Sequence, residues 1–492
     1  MDIDPGTATA AELVAALRAH EVSSRELLDD LLARVGERNP ALNAVVALDV
    51  ERAREAAAAA DEATAAGAAT GALHGLPMTI KDVWETAGLA TTSGAPELAD
   101  HVPTTDALAV ARLKAAGAIV FGKTNVPLYA GDVQTYNDVF GRTNNPWDVT
   151  RTTGGSSGGA AAAVAAGLTP LELGSDIGGS IRNPAHYNGV YGLKPTWGIV
   201  PSRGHIPGPP GSLVEPDVNC GGPLARGVGD LALALDVVAG PLPEDAVAWR
   251  LELPEGPPVS SVRGLRVATV VAEGSDVLPV AAEVRGCLGA FTDRLADAGA
   301  QVEAVPLPVS LADGLRSWQD LVLPIIGAGL PADVFEAFAP MGDLPAPDPV
   351  SNAARALVSR ARDLQVADAV RQQHRRAWAG LFERFDVVLA PVMATAAHPH
   401  DTDRPITDRV LDVDGVEVPG MLAMAWCGAI GTVLLPVVTL PTGLTPSGLP
   451  VGVQVVGPHL SDRRLLRIAA LLDEVGGAGF VPPPASFVSP VR

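Results

Sequence analysis

Short apolar runs alternate with helical segments along most of this chain, and this alternation limits its possible folds more than any other feature. Runs of about four to eight apolar residues, bounded by turn residues, are typical of buried β-strands. The candidate strands are Pro77–Lys81, Ala118–Gly122, Leu171–Ser175, Leu265–Val271, Gln301–Val305, Asp386–Ala390, Val433–Leu440 and Val451–Val456. Helical patterns at about 106–116, 158–166, 228–239, 279–298 and 461–473 separate them. The alternation predicts an α/β fold with one large sheet, covered by helices on both faces.

The segments around this core suggest one domain spanning residues 1–492. Capping-box patterns at Thr9-x-x-Glu12 and Ser23-x-x-Glu26 begin helices within residues 9–66. Residues 70–240 form the predicted core, and strands return to it over 386–470. The intervening 307–380 are helical in pattern, and we interpret them as an insertion on the sheet. The Gly- and Pro-rich stretch Pro201–Pro223 is predicted to be irregular.

Composition excludes several classes of function. Hydrophobic residues make up 47% of the 492 residues and charged residues 18%, which is typical of a globular chain with a sizeable core. Lys plus Arg is 35 against Asp plus Glu 56, a net charge of −21, so binding to a nucleic-acid backbone is not expected. The longest apolar runs are too short, or too interrupted by proline, to span a bilayer.

Cysteine usage and the first residues point to the cytoplasm. The three cysteines are far apart and form no C-x-x-C pair, which fits a reducing compartment and neither a disulfide framework nor a zinc site. The nine histidines form no H-x-x-x-H or H-E-x-x-H pattern, so we expect no metal and no cofactor. The start of the chain has no basic segment followed by an apolar one, so no signal peptide is expected.

Two glycine- and serine-rich blocks carry most of the chemical information. They are Gly154-Gly155-Ser156-Ser157-Gly158-Gly159 and Gly174-Ser175-Asp176-Ile177-Gly178-Gly179-Ser180-Ile181-Arg182. Clustered glycines are tolerated where the backbone needs unusual dihedral angles or approaches a ligand closely. In the second block, successive small residues can point several N–H groups into one space, as an oxyanion hole requires.

The first block also fits the G-x-S-x-G nucleophile elbow of α/β-hydrolases, at Ser156 or Ser157. That alternative needs a downstream carboxylate and histidine, for which His374, His398, His400 and His459 are candidates. An elbow is a strand–turn–helix, however, and Asp148–Thr153 have little strand character. The elbow pattern is therefore weak here, and an esterase with a Ser-His-Asp triad is the alternative prediction.

Together with the segment around Lys81, these blocks resemble the amidase signature family. Residues 71–94 are similar to the segment that carries that family's catalytic lysine, and the two blocks resemble its serine motifs. Further matches follow in order: Gly122–Asn125, Asn145–Asp148, Gly192–Thr196, Gly222–Arg226 and Gly448–Gln454. The resemblance implies a serine hydrolase that cleaves linear amides on a mixed, mostly parallel sheet flanked by helices.

The resemblance also implies a role for each matched residue. Ser180 would be the nucleophile, Ser156 a proton-relaying serine after a cis peptide bond, and Lys81 the general base. The N–H groups of the loop before the nucleophile would form the oxyanion hole, and three polar neighbours would support the site. The hole comprises Ile177, Gly178, Gly179 and Ser180, and the supporting residues are Ser157, Asp176 and Arg182.

The lysine chemistry is consistent with these roles. A serine hydroxyl needs an adjacent base, and a buried lysine can be neutral near pH 7 because burial penalises its ammonium form. Of the 35 basic residues only four are lysines, and all four lie between Lys81 and Lys194. Lys123 and Lys194 are predicted to be structural, and Asp82 is predicted to be a locally hydrogen-bonded carboxylate.

Departures from the family pattern bear on the substrate. Leu128 and Tyr129 stand where an acidic residue and Phe are frequent, which makes a glutamine amidotransferase subunit the weaker alternative within the family. We expect Leu128, Tyr129, Trp426 and Ile430 to line an apolar pocket for a hydrophobic or aryl amide, ester or carbamate. The Pro201–Pro216 loop would form its rim. The alternative for these four side chains is packing in the hydrophobic core. The alternative for the whole protein is a binding scaffold that has lost activity.

The family resemblance bears on assembly as well. Homodimers are common in the family, so a homodimer is possible, but the sequence shows no specific interface. The expected partner of this chain is therefore a small-molecule amide, without nucleic acid or membrane.

Overall fold

The computed structural model describes residues 3–68, 71–206, 210–270, 277–330, 332–343 and 345–484. Within them the helices are α1 (Ala10–Arg18), α2 (Ser24–Leu42), α3 (Val50–Ala65), α4 (Leu108–Ala115), α5 (Gly158–Ala165), α6 (Arg182–Asn188), α7 (Val228–Val238), α8 (Ala282–Asp297), α9 (Leu311–Ala328), α10 (Ala332–Phe338), α11 (Pro349–Leu357), α12 (Ala361–Phe382), α13 (Ala425–Thr432) and α14 (Asp462–Gly476). Both predicted capping boxes are formed, at Thr9 with Glu12 and at Ser23 with Glu26.

Eleven of the described strands form one sheet. The strands are β1 (Val45–Leu48), β2 (Pro77–Lys81), β3 (Ile119–Thr124), β4 (Tyr136–Asn137), β5 (Gly141–Arg142), β6 (Leu171–Asp176), β7 (Tyr191–Lys194), β8 (Cys220–Ala225), β9 (Arg266–Thr269), β10 (Gln301–Ala304), β11 (Val387–Pro391), β12 (Val410–Val413), β13 (Val416–Pro419), β14 (Val437–Leu444) and β15 (Pro450–Val456). The order in the large sheet is β1-β3-β2-β6-β8-β7-β14-β15-β11-β9-β10, and β4–β5 and β12–β13 form separate hairpins.

The predicted mixed sheet in a single domain is confirmed, and its parallel strands form two blocks. Strand β2 pairs in parallel with both β3 and β6, and β9 pairs in parallel with β10 and β11. Antiparallel pairs through β8, β7, β14 and β15 connect the two blocks, and β1 pairs antiparallel with β3 at one edge. The carboxyl ends of β2, β3 and β6 therefore lie on the same side of the sheet. Residues of several sequence motifs lie there, among them Lys81, Thr124 and Asp176.

Helices flank this sheet, and its central strands are buried on both faces. Every residue of β2, β6, β8 and β15 is buried, as expected for strands covered on both faces. Helix α5 packs on β2, β6 and β8, while α8 and α14 pack on β14. Among the described residues, no helix combines the length and apolar character needed to cross a membrane.

Two core strands contradict the sequence interpretation. The predicted irregular stretch Pro201–Pro223 ends inside β8, and β7 was not predicted at all. Gly221, Gly222 and Pro223 are unfavourable in a strand by local preference. They are accommodated because β8 pairs with β6 over six residues, from Leu171 opposite Ala225 to Asp176 opposite Cys220. Tertiary pairing thus overrides local preference here.

The predicted helical region 307–380 corresponds to α9 through α12. Helix α9 packs on α11, α12 and α13. Its residues Leu311, Leu315, Trp318 and Val322 join the main hydrophobic core, so this region is continuous with the core around the sheet.

Candidate active site

Lys81 is the last residue of β2, and its side chain is fully buried. Its Nζ donates hydrogen bonds to Ser156 Oγ at 2.7 Å and to Ser175 Oγ at 3.0 Å. Among the described residues no carboxylate forms an ion pair with it, which is unusual for a buried lysine. Its hydroxyl partners can either accept from an ammonium or donate to a neutral amine, so the contacts suit both protonation states.

Burial lowers the pKa of Lys81 to about 7, although the charges of Asp176 and Glu172 act in the opposite direction. At neutral pH a substantial fraction of Lys81 is therefore the free amine. That is the form able to accept a proton.

The first glycine–serine block brings Ser156 against this lysine. The peptide bond between Gly155 and Ser156 is cis, as the resemblance predicted. Ser157 begins the turn into α5, and its hydroxyl donates to the Ser175 carbonyl at 3.3 Å. The Ser157 N–H donates to the Ser180 carbonyl at 3.1 Å, so the second block lies directly alongside the first.

Asp176 and Arg182 form a fully buried ion pair under the second block. The guanidinium contacts both carboxylate oxygens, with Nη2–Oδ1 at 2.8 Å and Nε–Oδ2 at 2.9 Å. Burial alone would raise the pKa of Asp176, but the charge and hydrogen bonds of Arg182 lower it to about 2. Arg182 also donates from Nη1 to the Cys427 carbonyl and to Gln454 Oε1, both at 2.8 Å. The pair holds the loop before Ser180 between β6 and α6.

The loop between Asp176 and Arg182 is predicted to form an oxyanion hole, and the structure corrects one of its four predicted donors. The Gly179 N–H already donates to Asp176 Oδ1 at 2.8 Å, so it leaves the predicted set of free donors. Within the described residues, the N–H groups of Ile177, Gly178 and Ser180 make no hydrogen bond. Gly179 has a φ of +125°, and a Cβ there would lie 2.7 Å from Cys427 Cβ, so glycine is required.

Trp318 on α9 is a site residue that the sequence analysis missed. Its indole Nε1 donates to the Ile177 carbonyl at 2.9 Å, and a Cβ on Gly178 would lie 2.8 Å from its ring. Trp318 thus fixes the outer side of the loop. The only sequence signal was a tryptophan among apolar residues of a predicted helix, which is equally typical of a core position.

The predicted pocket residues do not form one wall. Leu128 is exposed and Tyr129 half-buried, on the segment that follows β3. Trp426 and Ile430 are almost fully buried and line a small closed cavity with Leu307, Val309 and Trp378. On α13 it is instead Cys427 and Gly431 that face Gly179 and Arg182. Trp426 and Ile430 precede them by one residue, about 100° around the helix, and this position favours the packing alternative.

A cleft of about 500 Å³ borders the first glycine–serine block. Val133 and Gln134 line it, and their backbone lies 2.8 Å from where a Cβ on Gly155 would stand. The opposite side is formed by Thr395–His398 and by a segment around Arg404 and Arg409. The cleft therefore lies beside the first glycine–serine block and has both apolar and charged walls. Of the Pro201–Pro216 loop predicted at the rim, residues 207–209 lie outside the described residues.

The geometry required for the elbow alternative is not found in the described structure. The segment before Gly154 forms turns and isolated bridges instead of a strand. His398 and His400 bond to the carbonyls of Pro399 and Val149, and His374 lines the small closed cavity. None of the four candidate histidines hydrogen-bonds Ser156 or Ser157 among the described residues.

A second buried lysine lies on the neighbouring strand. Lys123 Nζ donates to the Trp84 carbonyl and to Thr86 Oγ1, the latter at 3.1 Å. Burial lowers its pKa to about 8, against the charge of Asp82. Asp82 accepts from the Thr92 hydroxyl at 2.5 Å, and burial raises its pKa to about 6. These contacts are in line with the structural roles predicted for both residues.

The comparisons with known proteins agree with this geometry. The amidase family model matches residues 26–466. The chain is 35% identical to the A subunit of the glutamyl-tRNA(Gln) amidotransferase of Rhodopirellula baltica, covering 93% of this chain and 94% of the relative. It is 34% identical to an acylamidase of Rhodococcus erythropolis, covering 95% of each.

Among solved structures, a bacterial aryl acylamidase of the amidase signature family superposes with a TM-score of 0.79 at 27% identity, covering 98% of both chains. The family model, the relatives and the fold all span most of the sequence, including the segments that carry the lysine and serines described above. The chain therefore belongs to the amidase signature family and is an amidohydrolase.

Proposed function

We propose that this protein hydrolyses linear amides through an acyl-enzyme intermediate on Ser180, with Ser156 relaying protons and Lys81 as the general base. The observation that carries this proposal is the bond from buried Lys81 Nζ to Ser156 Oγ, with no carboxylate paired to the amine among the described residues. A lysine in this setting loses its proton near neutral pH, and Ser-Lys pairs are a known variant of the catalytic triad.

The proposed reaction proceeds in two stages. The Ser180 hydroxyl attacks the amide carbonyl and passes its proton to Ser156, whose own proton moves to the neutral Lys81. The developing oxyanion accepts hydrogen bonds from the free N–H groups of the 177–180 loop, each worth about 2.7–4 kcal/mol in comparable sites. The proton returns through Ser156 to the leaving nitrogen. Water then attacks the acyl-enzyme by the same route and releases the acid.

We propose aryl or hydrophobic acyl amides as the substrate class. Trp318 and Cys427 place apolar surface against the oxyanion loop, and the cleft beside Gly155 has room for a substrate of moderate size. The similarity to an acylamidase and to an aryl acylamidase supports the same class. Esters and carbamates with similar acyl groups are further candidates, because they pass through the same type of tetrahedral intermediate.

Site-mapped covalent labelling tests the mechanism. The purified protein is treated with an alkyl fluorophosphonate, and the modified residue is found by peptide mass spectrometry. The proposal expects label on Ser180 and none on a Ser180→Ala variant. Label on Ser156 or Ser157 would instead support the elbow alternative, and a folded protein without label would support an inactive scaffold. A panel of p-nitroanilides, esters and carbamates then defines the preferred acyl group.

A second candidate function is the glutaminase half-reaction of an amidotransferase, since relatives described as amidotransferase subunits are 33–36% identical to this chain. Leu128 and Tyr129 speak against it, because the family frequently has an acidic residue and Phe there. Ammonia release from glutamine distinguishes the two functions. A kcat/KM for glutamine above that for every anilide tested would favour the second.

A further inference from the structure

Glu172 is a fully buried carboxyl that the proposed reaction does not use. It lies on β6, and its exposed fraction is 0%. Oε1 accepts a hydrogen bond from Thr124 Oγ1 at 2.7 Å, whereas Oε2 has no partner among the described residues. A buried carboxylate oxygen without a donor is costly, so a group of this kind points to a role beyond packing.

Strand register shows where this carboxyl lies. Glu172 is opposite Thr79 on β2, and Thr124 on β3 is opposite Lys81. Residues two apart on a strand, and residues paired in register, face the same side of the sheet. The bond from Thr124 to Glu172 therefore crosses over β2, on the face from which the Lys81 side chain projects. The carboxyl lies beside the stem of the proposed base.

We propose that Glu172 is a positioning residue for the amidase reaction, whose buried carboxyl, held over β2 by Thr124, sets the pH at which Lys81 becomes a free base. The inference rests on the proposed function, because it requires Lys81 to act as the base. The inference goes beyond the proposed function, because it assigns control of Lys81 to a side chain that contacts neither the serines nor the oxyanion loop. Glu172 acts only through the charge that it presents to Lys81.

The electrostatics of the site agree with this role. Burial is the main influence on the pKa of Lys81, and Asp176 and Glu172 are the two charges that raise it. Asp176 is the larger of these two influences, but it is held in a buried ion pair with Arg182, whereas Glu172 has no ion-pair partner among the described residues. Burial raises the pKa of Glu172 to about 7, against the hydroxyl of Thr124, the nearby hydroxyl of Thr79 and the charge of Lys123. The Thr79 hydroxyl is close but outside hydrogen-bonding geometry.

Elements packed around Glu172 bring few other charges to it. Strand β8 places Leu224 opposite it, and α5 contains only glycine, alanine and valine. Lys123 on β3 is the second cation whose pKa is raised by the charge of Glu172. On the Lys81 side, His205 is buried against Trp84, and burial together with the Lys81 charge lowers its pKa to about 3. His205 therefore stays neutral in the pH range in which Lys81 and Glu172 change protonation.

The test is the pH profile of Ser180 labelling by a small alkyl fluorophosphonate, which needs no knowledge of the substrate. Second-order labelling rates are measured from pH 5 to 9 for the wild type and for Glu172→Gln. Glutamine keeps an acceptor for Thr124 but carries no charge. We expect the midpoint of the acid limb to move to lower pH by about one unit, since a charge that favours the ammonium form is removed.

Thr124→Val is the second variant, in case Glu172→Gln does not fold. Loss of the hydroxyl destabilises the ionised carboxylate, so the midpoint is expected to move in the same direction but less. Asp462→Asn is the matched control. Asp462 is also buried and bonded to a threonine hydroxyl, Thr196 Oγ1 at 2.6 Å, but it is not among the charges that influence Lys81. Its midpoint should equal that of the wild type.

The outcomes separate this inference from the proposed function. An unchanged midpoint in Glu172→Gln, or equal rate losses at every pH, overturns the inference and leaves Glu172 as a structural residue. If Lys81→Met labels as fast as the wild type, the proposed function fails instead. A loss of labelling in Lys81→Met, together with a lower midpoint in Glu172→Gln, supports both.

Discussion

The two buried lysines on neighbouring parallel strands differ in what surrounds them. Lys81 donates to the hydroxyls of Ser156 and Ser175 and has only a longer contact, 3.5 Å, to the Ser175 carbonyl, and no carboxylate forms an ion pair with it among the described residues. Lys123 donates to a carbonyl and a threonine hydroxyl and interacts with the charge of Asp82. Both are fully buried, yet burial lowers the pKa of Lys81 to about 7 and that of Lys123 to about 8.

The comparison predicts that burial by itself does not make a lysine a catalytic base. A backbone carbonyl only accepts hydrogen bonds, so the Lys123 contacts favour the protonated form. Serine hydroxyls also donate, so the Lys81 amine keeps partners after it loses its proton. We therefore expect the region around Lys81 to control turnover and the region around Lys123 to control stability.

The largest expected effect is loss of activity in Lys81→Ala. Removing one member of a catalytic triad typically costs about 10⁴-fold or more in kcat, because the remaining groups cannot move the proton. Lys81→Arg should also be inactive, since a guanidinium stays protonated. The measurement is kcat on a reactive p-nitroanilide, with circular dichroism as the folding control. Near-normal turnover by Lys81→Arg would contradict a base at this position.

Lys123→Met should have the opposite profile. It removes the hydrogen bonds to the Trp84 carbonyl and the Thr86 hydroxyl together with the charge that favours ionised Asp82, so we expect a loss of about 1–3 kcal/mol of unfolding free energy. Urea denaturation measures that loss. Labelling of Ser180 per folded molecule should stay close to that of the wild type. A stable Lys123→Met protein that does not label would remove the functional contrast between the two lysines.

Stability should also depend on pH through Lys81. Its pKa is about 7 in the folded protein and 10.5 ordinarily, so the unfolded chain binds more protons between these values. The unfolding free energy therefore rises with pH across this window. Relative to Lys81→Met, the wild type should gain about 2 kcal/mol between pH 7 and pH 9. Parallel urea titrations of both proteins measure the difference, and a constant difference would mean that the folded lysine is protonated throughout.

The acid limb of kcat/KM provides the kinetic counterpart. Only the neutral amine accepts a proton, so kcat/KM should fall about tenfold per pH unit below a midpoint near the Lys81 pKa of about 7. The limb should persist in Lys123→Met. A profile that is flat down to pH 5 would show that no group with this pKa is needed in its basic form.

The smallest expected effect concerns Trp318, which contacts the oxyanion loop from α9. Trp318→Phe keeps most of the apolar contact but removes the bond to the Ile177 carbonyl. A typical hydrogen bond contributes about 1 kcal/mol, so kcat should fall about fivefold with little change in KM. Trp378→Phe, in the cavity wall away from the serines, is the control. Equal effects of the two changes would indicate that α9 affects only general packing.

The sequence located the residues proposed for the site more accurately than the elements around them. Lys81, Ser156 and Ser180 lie in short motifs whose glycines are needed by the local backbone, so the residues are recognisable without tertiary information. Strand β8 was missed because its stability comes from pairing with β6 and β7, which local preference does not record. Trp426 and Ile430 were placed by sequence proximity to a motif, although helix geometry turns them away from the oxyanion loop.

The α/β alternation, the order of the motifs and the residue types proposed for the site follow from the sequence alone, because each depends on local spacing and side-chain chemistry. Only the tertiary structure decided that Gly179 donates to Asp176, that Trp318 reaches Ile177 from a helix about 140 residues later, and that Glu172 lies on the face of Lys81. Those relations depend on strand register and helix packing between distant segments. Since burial and neighbouring charge shift the pKa of a lysine, the control that we propose for Lys81 depends on the register that places Glu172 on its face of the sheet.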